Sequence, residues 1–181
     1  MKRFVRFLLA FLTAFLLMMV VRAVGVTLFN IEGDALEPVF VRGDRVLVNR
    51  WSYGLRVGTF GGLFHYGRIG KQPVSKGDLV VFENPQDSTR SQMLICRCAA
   101  LPGDTISVDG TTTVVPSLAN CAEGDFYWME SIHPDNPADS RSLGFIPEEL
   151  IIGRATFVVY SHDPSHPLWD GWRTDRLLLP L

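Results

Sequence analysis

One apolar run near the N-terminus constrains this chain more than any other feature. From Phe7 to Val21 every residue is apolar except Thr13, and apolar character resumes after Arg22 as far as Phe29. A helix needs roughly 20 such residues to cross the hydrocarbon core of a bilayer. Arg6 and Arg22 stand near opposite ends of the run, where long cationic side chains reach the headgroups. A cleaved secretory signal shares the basic start, but this run is longer than an ordinary signal core and no Ala-x-Ala-like site follows it. The run therefore reads as an uncleaved anchor over residues 7–29. Lys2, Arg3 and Arg6 precede it and keep residues 1–6 in the cytoplasm by the positive-inside rule. Residues 30–181 are then one extracytoplasmic domain.

That domain is acidic. All 19 Asp and Glu lie beyond residue 30, with 13 of the 17 Lys and Arg, a net charge of −6. A negative balance excludes nucleic acid as a partner and argues against adsorption to anionic lipid through a basic patch. The membrane contact expected is the apolar anchor itself. Cys96, Cys98 and Cys121 all lie in the exported part, where two thiols can pair. Cys98 and Cys121 bracket a strand-turn-strand pattern and are the expected disulfide.

Beyond the anchor the periodicity is that of strands. Arg45–Arg50 follows the turn pair Gly43-Asp44, Asp78–Glu83 follows Lys76-Gly77, and Met93–Ala100 ends at Pro102-Gly103. Thr105–Val108 and Thr112–Val115 flank Asp109-Gly110, the strongest hairpin signal in the chain. Arg154–Tyr160 is a β-branched apolar strand. Residues 53–73 mix glycine with Tyr53, Phe60, Phe64 and Tyr66, which suits a loop folded on its own domain or a contact with membrane or partner. The tail, with Trp169, Trp172 and Leu177–Leu179, suits an interfacial segment or an arm packed on the core. The fold class is mainly β: an all-β, coil-rich ectodomain on a single N-terminal helix.

Several short motifs then occur in a fixed order. They are Gly33-Asp34-Ala35-Leu36-Glu37-Pro38, Lys76–Phe82, Cys96-Arg97 leading to Leu101-Pro102-Gly103-Asp104, and Asn136-Pro137-Ala138-Asp139-Ser140-Arg141 leading to Gly153-Arg154-Ala155. Together they resemble the boxes of bacterial signal peptidase I, the serine/lysine-dyad S26 family. The resemblance runs from the anchor almost to the C-terminus. It implies an all-β core in which a nucleophile loop and a lysine strand converge beside an apolar groove.

Carried over position by position, the resemblance meets three losses. The nucleophile position is Ala35, the general-base position is Cys96, and the serine that orients the base is Pro137. A hydrolase of this type needs a hydroxyl to attack and an amine to take its proton. A methyl group does neither, and proline offers no hydroxyl. The residues that shape the site are retained: Gly33, Asp34, Leu36, Pro38, Arg97, Asp139, Ser140 and Arg141, with Asp139 and Arg141 expected as a structural ion pair. No cofactor or metal is implied.

Other constellations have plainer readings. Cys96 beside Arg97 suggests a reactive thiol, but adjacent strand residues point to opposite faces, so a buried thiol is favoured. His133, Asp135 and Ser140 are triad types crowded into a turn-rich stretch. His162, Asp163 and His166 have metal-pair spacing only on a helix, which Pro164 and Pro167 oppose. The function expected is a catalytically inactive, membrane-anchored homologue in protein export. It would bind an export client, a signal peptide or an active partner peptidase. An active endopeptidase using a noncanonical residue is the alternative, and an assembly subunit of an envelope complex with a closed groove is the third reading.

Overall fold

The computed structural model describes residues 2–58, 66–89, 91–108, 110–167 and 169–181, with the side chains of residues 2, 3 and 19–24 excepted. The expectations for Phe60, Phe64 and Asp109 lie outside the described residues.

The apolar run forms helix α1, Lys2–Val24. Its described side chains, residues 4–18, are exposed. Among the described residues no helix is long and apolar enough to cross a membrane. The expected anchor boundary at residue 29 is corrected: the helix stops before Gly25, and Val26–Asn30 is strand β1. The β-branched pair Val26-Thr27 favours extended backbone, and pairing with residues 45–49 supplies partners that continued helix would forgo.

The remaining strands are β2 (Asp44–Asn49), β3 (Leu55–Val57), β4 (Gly67–Ile69), β5 (Leu79–Glu83), β6 (Met93–Ala100), β7 (Thr105–Val108), β8 (Thr111–Val114), β9 (Phe126–Glu130), β10 (Ile146–Pro147), β11 (Ile151–Ser161) and β12 (Leu179–Pro180). Among the described residues they build one eight-stranded antiparallel sheet, ordered β1-β2-β11-β5-β6-β9-β10, with β12 on β11. Two hairpins, β3-β4 and β7-β8, stand beside it. The long β11 is the hinge of the architecture. Register shifts at three points along it add local twist and curl the sheet.

Period-2 alternation divides the core between the two sheet faces. Val80, Phe82, Cys96, Cys98 and Met129 pack on one face with Tyr53, Val74 and Tyr127. Leu79, Val81, Ile95, Val46 and Val48 pack on the other with Ile31, Phe40 and Leu36. Each large side chain fully buried here contributes about 1.5–3 kcal/mol. Gly43 and Gly153 are demanded by close approach. A Cβ at Gly43, with φ +92, would lie 2.0 Å from the His162 carbonyl oxygen, and one at Gly153 would lie 2.3 Å from that of Asn49.

The segment after Tyr53 folds onto its own domain where it is described. Tyr53 is buried and its hydroxyl donates to Asp78 at 2.9 Å. Arg68, in β4, donates to the Gly54, Glu148 and Ile151 carbonyls. The tail likewise packs back: β12 pairs with β11, and Trp172 stacks edge-on against His162 with ring centroids 5.0 Å apart. Trp169 stays 85% exposed.

The expected Cys98–Cys121 bridge is overturned, because all three cysteines are free. Cys98 points into the core, where its thiol faces the Ala100 carbonyl at 3.7 Å. Cys121 instead closes a turn after β8, its N–H bonded to the Ser117 carbonyl. The β7-β8 hairpin lies where the sequence places it; the inward aim of Cys98 is what prevents pairing.

Candidate peptide-binding groove

The loop between β1 and β2 carries Gly33 to Pro38. Two internal turns shape it, with Glu37 N–H bonded to the Asp34 carbonyl and Phe40 N–H to that of Leu36. Fully buried Phe40 anchors its far end. Buried Asp44 accepts from Val41 N–H at 2.9 Å and from Arg176 at 2.6 Å, and the same guanidinium donates to the Val39 carbonyl at 2.8 Å. Burial pushes the Asp44 pKa up, but Arg176, Ser161 and the Val41 N–H outweigh it and hold the carboxyl below its usual range. Arg176 thus pins the loop from the far end of the chain. No local pattern points to it.

Gly33, Ala35 and Leu36 line a groove of about 640 Å³. Its other walls are β1 and Ile31, the residues from Ser91 to Ile95, and Asn136 with Ala138. Its lining includes the apolar residues Leu28, Phe29, Leu36, Met93, Leu94 and Ile95. Two strand edges meet it. β1 ends the sheet, and β6 is paired with β9 only from Arg97 onward, so Met93–Ile95 has a free side. Unpaired backbone donors and acceptors beside these apolar residues suit an extended peptide. The β1 and β6 wall residues escape sequence reading because β1 is hidden in the end of the apolar run.

Cys96 lies behind this surface rather than on it. It is buried, and its thiol donates to the Ala138 carbonyl at 3.3 Å. Burial first, then the nearby Asp139 charge, pushes the thiol pKa up to about 12. It stays protonated at neutral pH and is no nucleophile there.

Around Pro137 the chain is held by a compact polar knot. Asp139 caps the short helix α2, Ser140–Leu143, by accepting from Arg141 N–H at 2.9 Å. Its other oxygen accepts from Ser131 N–H and from the Arg141 guanidinium at 2.7–2.8 Å. Burial opposes the charge, yet Arg141 and the two backbone N–H groups hold the Asp139 carboxyl below its usual range. Ser140 Oγ accepts from buried Met129 N–H at 2.8 Å. Pro137 gives only its carbonyl, to Asp139 N–H and the Ser142 hydroxyl. His133 accepts from Asp135 N–H in the preceding turn.

The other expected groove residues face elsewhere. Pro38 and exposed Arg97 line a separate depression with Arg154 and Arg176. Asp34 lies in a third with Glu37, Arg42 and Arg173. Among the described residues no group of His, Cys, Asp and Glu is arranged to hold a metal ion. Ser91 is the hydroxyl in the groove wall, and it donates to Asp87 at 3.0 Å. Hydrogen bonds from Thr89, Gln92 and Ser91 hold Asp87 well below the usual carboxylate range, which makes it a weak base.

A curled antiparallel sheet that opens a strand edge over a groove, beside a pinned turn, defines a mainly β scaffold with one candidate site. Comparison with known proteins specifies the family. A model of the signal peptidase, peptidase S26 family matches residues 4–117. Signal peptidase I of Buchnera aphidicola subsp. Acyrthosiphon pisum is 30% identical over 143 residues, 79% of this chain and 43% of that protein. Probable signal peptidase I-1 of Synechocystis sp. is 30% identical over 149 residues, 70% of this chain and 67% of its own length. Mitochondrial inner membrane protease subunit 1 of Xenopus tropicalis is 30% identical over 96 residues, 52% of this chain and 55% of its own length. The chain thus spans about half the length of the first and third of these relatives. It belongs to the signal peptidase I family.

Proposed function

We propose that this protein serves protein export as a membrane-anchored family member that binds a signal peptide or exported segment in its groove and does not cleave it. The observation that carries this reading is Ala35, a methyl group on the turn where the groove meets the residues that resemble the nucleophile box. Three further features support it. The thiol at the base-like position is buried and protonated, Pro137 brings no hydroxyl, and the groove serine is tied to a weak base. The open groove favours a binder over a closed assembly subunit. The apolar, exposed face of α1 behind Lys2, Arg3 and Arg6 supports an anchor with a cytoplasmic N-terminus in the inner membrane.

The test uses the full chain purified in detergent and freed of host peptidase. A photocrosslinker at Leu36 should capture an added preprotein through its signal region, and no cleavage should appear above background. Robust turnover lost on Cys96→Ala or Ser91→Ala would instead establish the alternative, an active endopeptidase with a noncanonical residue.

A further inference from the structure

The groove does not end at β1. Asn30, Ile31, Glu32 and Arg45 stand in its wall and also in the wall of a second cavity of about 460 Å³. The far side of that cavity is aromatic. Trp172 lies against His162 at 5.0 Å and against Tyr160 at 5.7 Å between ring centroids. Arg42 and Arg45 flank this platform. Among the described residues neither guanidinium has a hydrogen bond or ion pair. Every other arginine lining a neighbouring depression, except Arg97, is engaged: Arg154 with Asp78, Arg173 with Asp163, and Arg176 with Asp44.

We infer that the second cavity is a continuation of the groove that reads an acidic side chain flanking the apolar segment of a bound peptide. The inference rests on the groove reading above and deepens it. A peptide laid along β1 passes Asn30 and Arg45 as it leaves the apolar residues of the groove. It then meets Arg42 and Arg45 beside the Glu32 carboxylate of the cavity wall, with Asp34 and Glu37 in the adjoining depression that Arg42 also lines. The lining of this cavity carries two arginines and one carboxylate, against the net −6 of the residues beyond 30. Arginine presents several N–H donors in a plane that matches a carboxylate, and the indole face of Trp172 supports the adjoining peptide backbone. A lysine at the same place would meet like charge.

The experiment measures fluorescence anisotropy of labelled peptides with the full chain in detergent micelles. Each peptide carries one small-residue apolar segment, and a single residue beyond it is Glu, Gln or Lys, its position being scanned. At the best position Glu should bind about three- to tenfold more tightly than Gln, as a partly exposed charge pair gives, with Lys weaker again. Arg45→Gln and Arg42→Gln should each shrink the Glu-to-Gln ratio, and Trp172→Ala should weaken all three peptides together. Equal binding of the Glu and Lys peptides at every position overturns this inference and leaves the groove reading standing. Failure of all three peptides to bind overturns the groove reading, and this inference with it.

Discussion

The Cys96 thiol donates to the Ala138 carbonyl at 3.3 Å, and Ala138 in turn lines the groove that Ala35 also lines. The base-like position is therefore separated from the groove by one peptide unit. The site keeps its shape with the proton chemistry absent, because Asp139 and Ser140 bind backbone N–H groups rather than catalytic partners.

Restoring catalysis should therefore fail one residue at a time. Ala35→Ser alone should give no preprotein cleavage, since an unassisted serine stays protonated. Cys96→Lys alone should give none and should lower the Tm, because it forces an ammonium into a buried site. The double variant should recover at most a trace, limited by Pro137, as members of a catalytic unit are strongly non-additive. Single-turnover cleavage of a preprotein in detergent is the measurement.

Thiol chemistry should sort by burial. Without reductant, alkylation under denaturing conditions should modify Cys96, Cys98 and Cys121, since all are free. In the native protein Cys121 should react well before the other two, whose thiols burial pushes up to about 12. Peptide mass spectrometry reads both results, and a Cys98–Cys121 cross-linked peptide would contradict them.

Acid should undo the knot at Asp139. Its folded pKa is depressed, so its contribution is fully present above the unfolded carboxylate value of about 3.9 and is lost as pH falls through the lower folded value. At pH 7, Asp139→Ala should cost about 2–4 kcal/mol by leaving Ser131 N–H and Arg141 without their acceptor. Arg141→Ala should cost far less than Asp139→Ala, because that side chain is exposed and solvent screens its charge. Urea unfolding across pH 2–7 should show the Asp139→Ala deficit narrowing below about pH 4.

Anchoring is tested by fractionation. The protein should sediment with membranes through alkaline carbonate washing and keep its N-terminal sequence. External protease should digest the region from Asn30 onward. A mature N-terminus beyond Val21 would show a cleaved signal instead.

Local pattern was enough to place much of this fold. Alternation and turn residues set β5, β6 and the β7-β8 hairpin, with β6 spanning the expected Met93–Ala100, because strand period and turn chemistry are short-range properties. The Phe126-Tyr127-Trp128-Met129 run of β9 carries the same kind of short-range signal, an aromatic-rich apolar stretch. Residue identity alone also placed a methyl at 35, a thiol at 96 and a proline at 137.

Tertiary structure decided the rest. It cut the apolar run at Gly25 and drew Val26–Asn30 into the sheet, because β2 offered backbone partners. It turned Cys98 inward and away from Cys121, and sent Asp34, Pro38 and Arg97 to other depressions than the groove. It brought Arg176 onto Asp44 across 132 positions to pin the loop that carries Ala35. Contacts of that reach leave no periodicity behind. They follow from sheet curl, which sets which strand edges meet, and from the requirement that each buried charge find a partner.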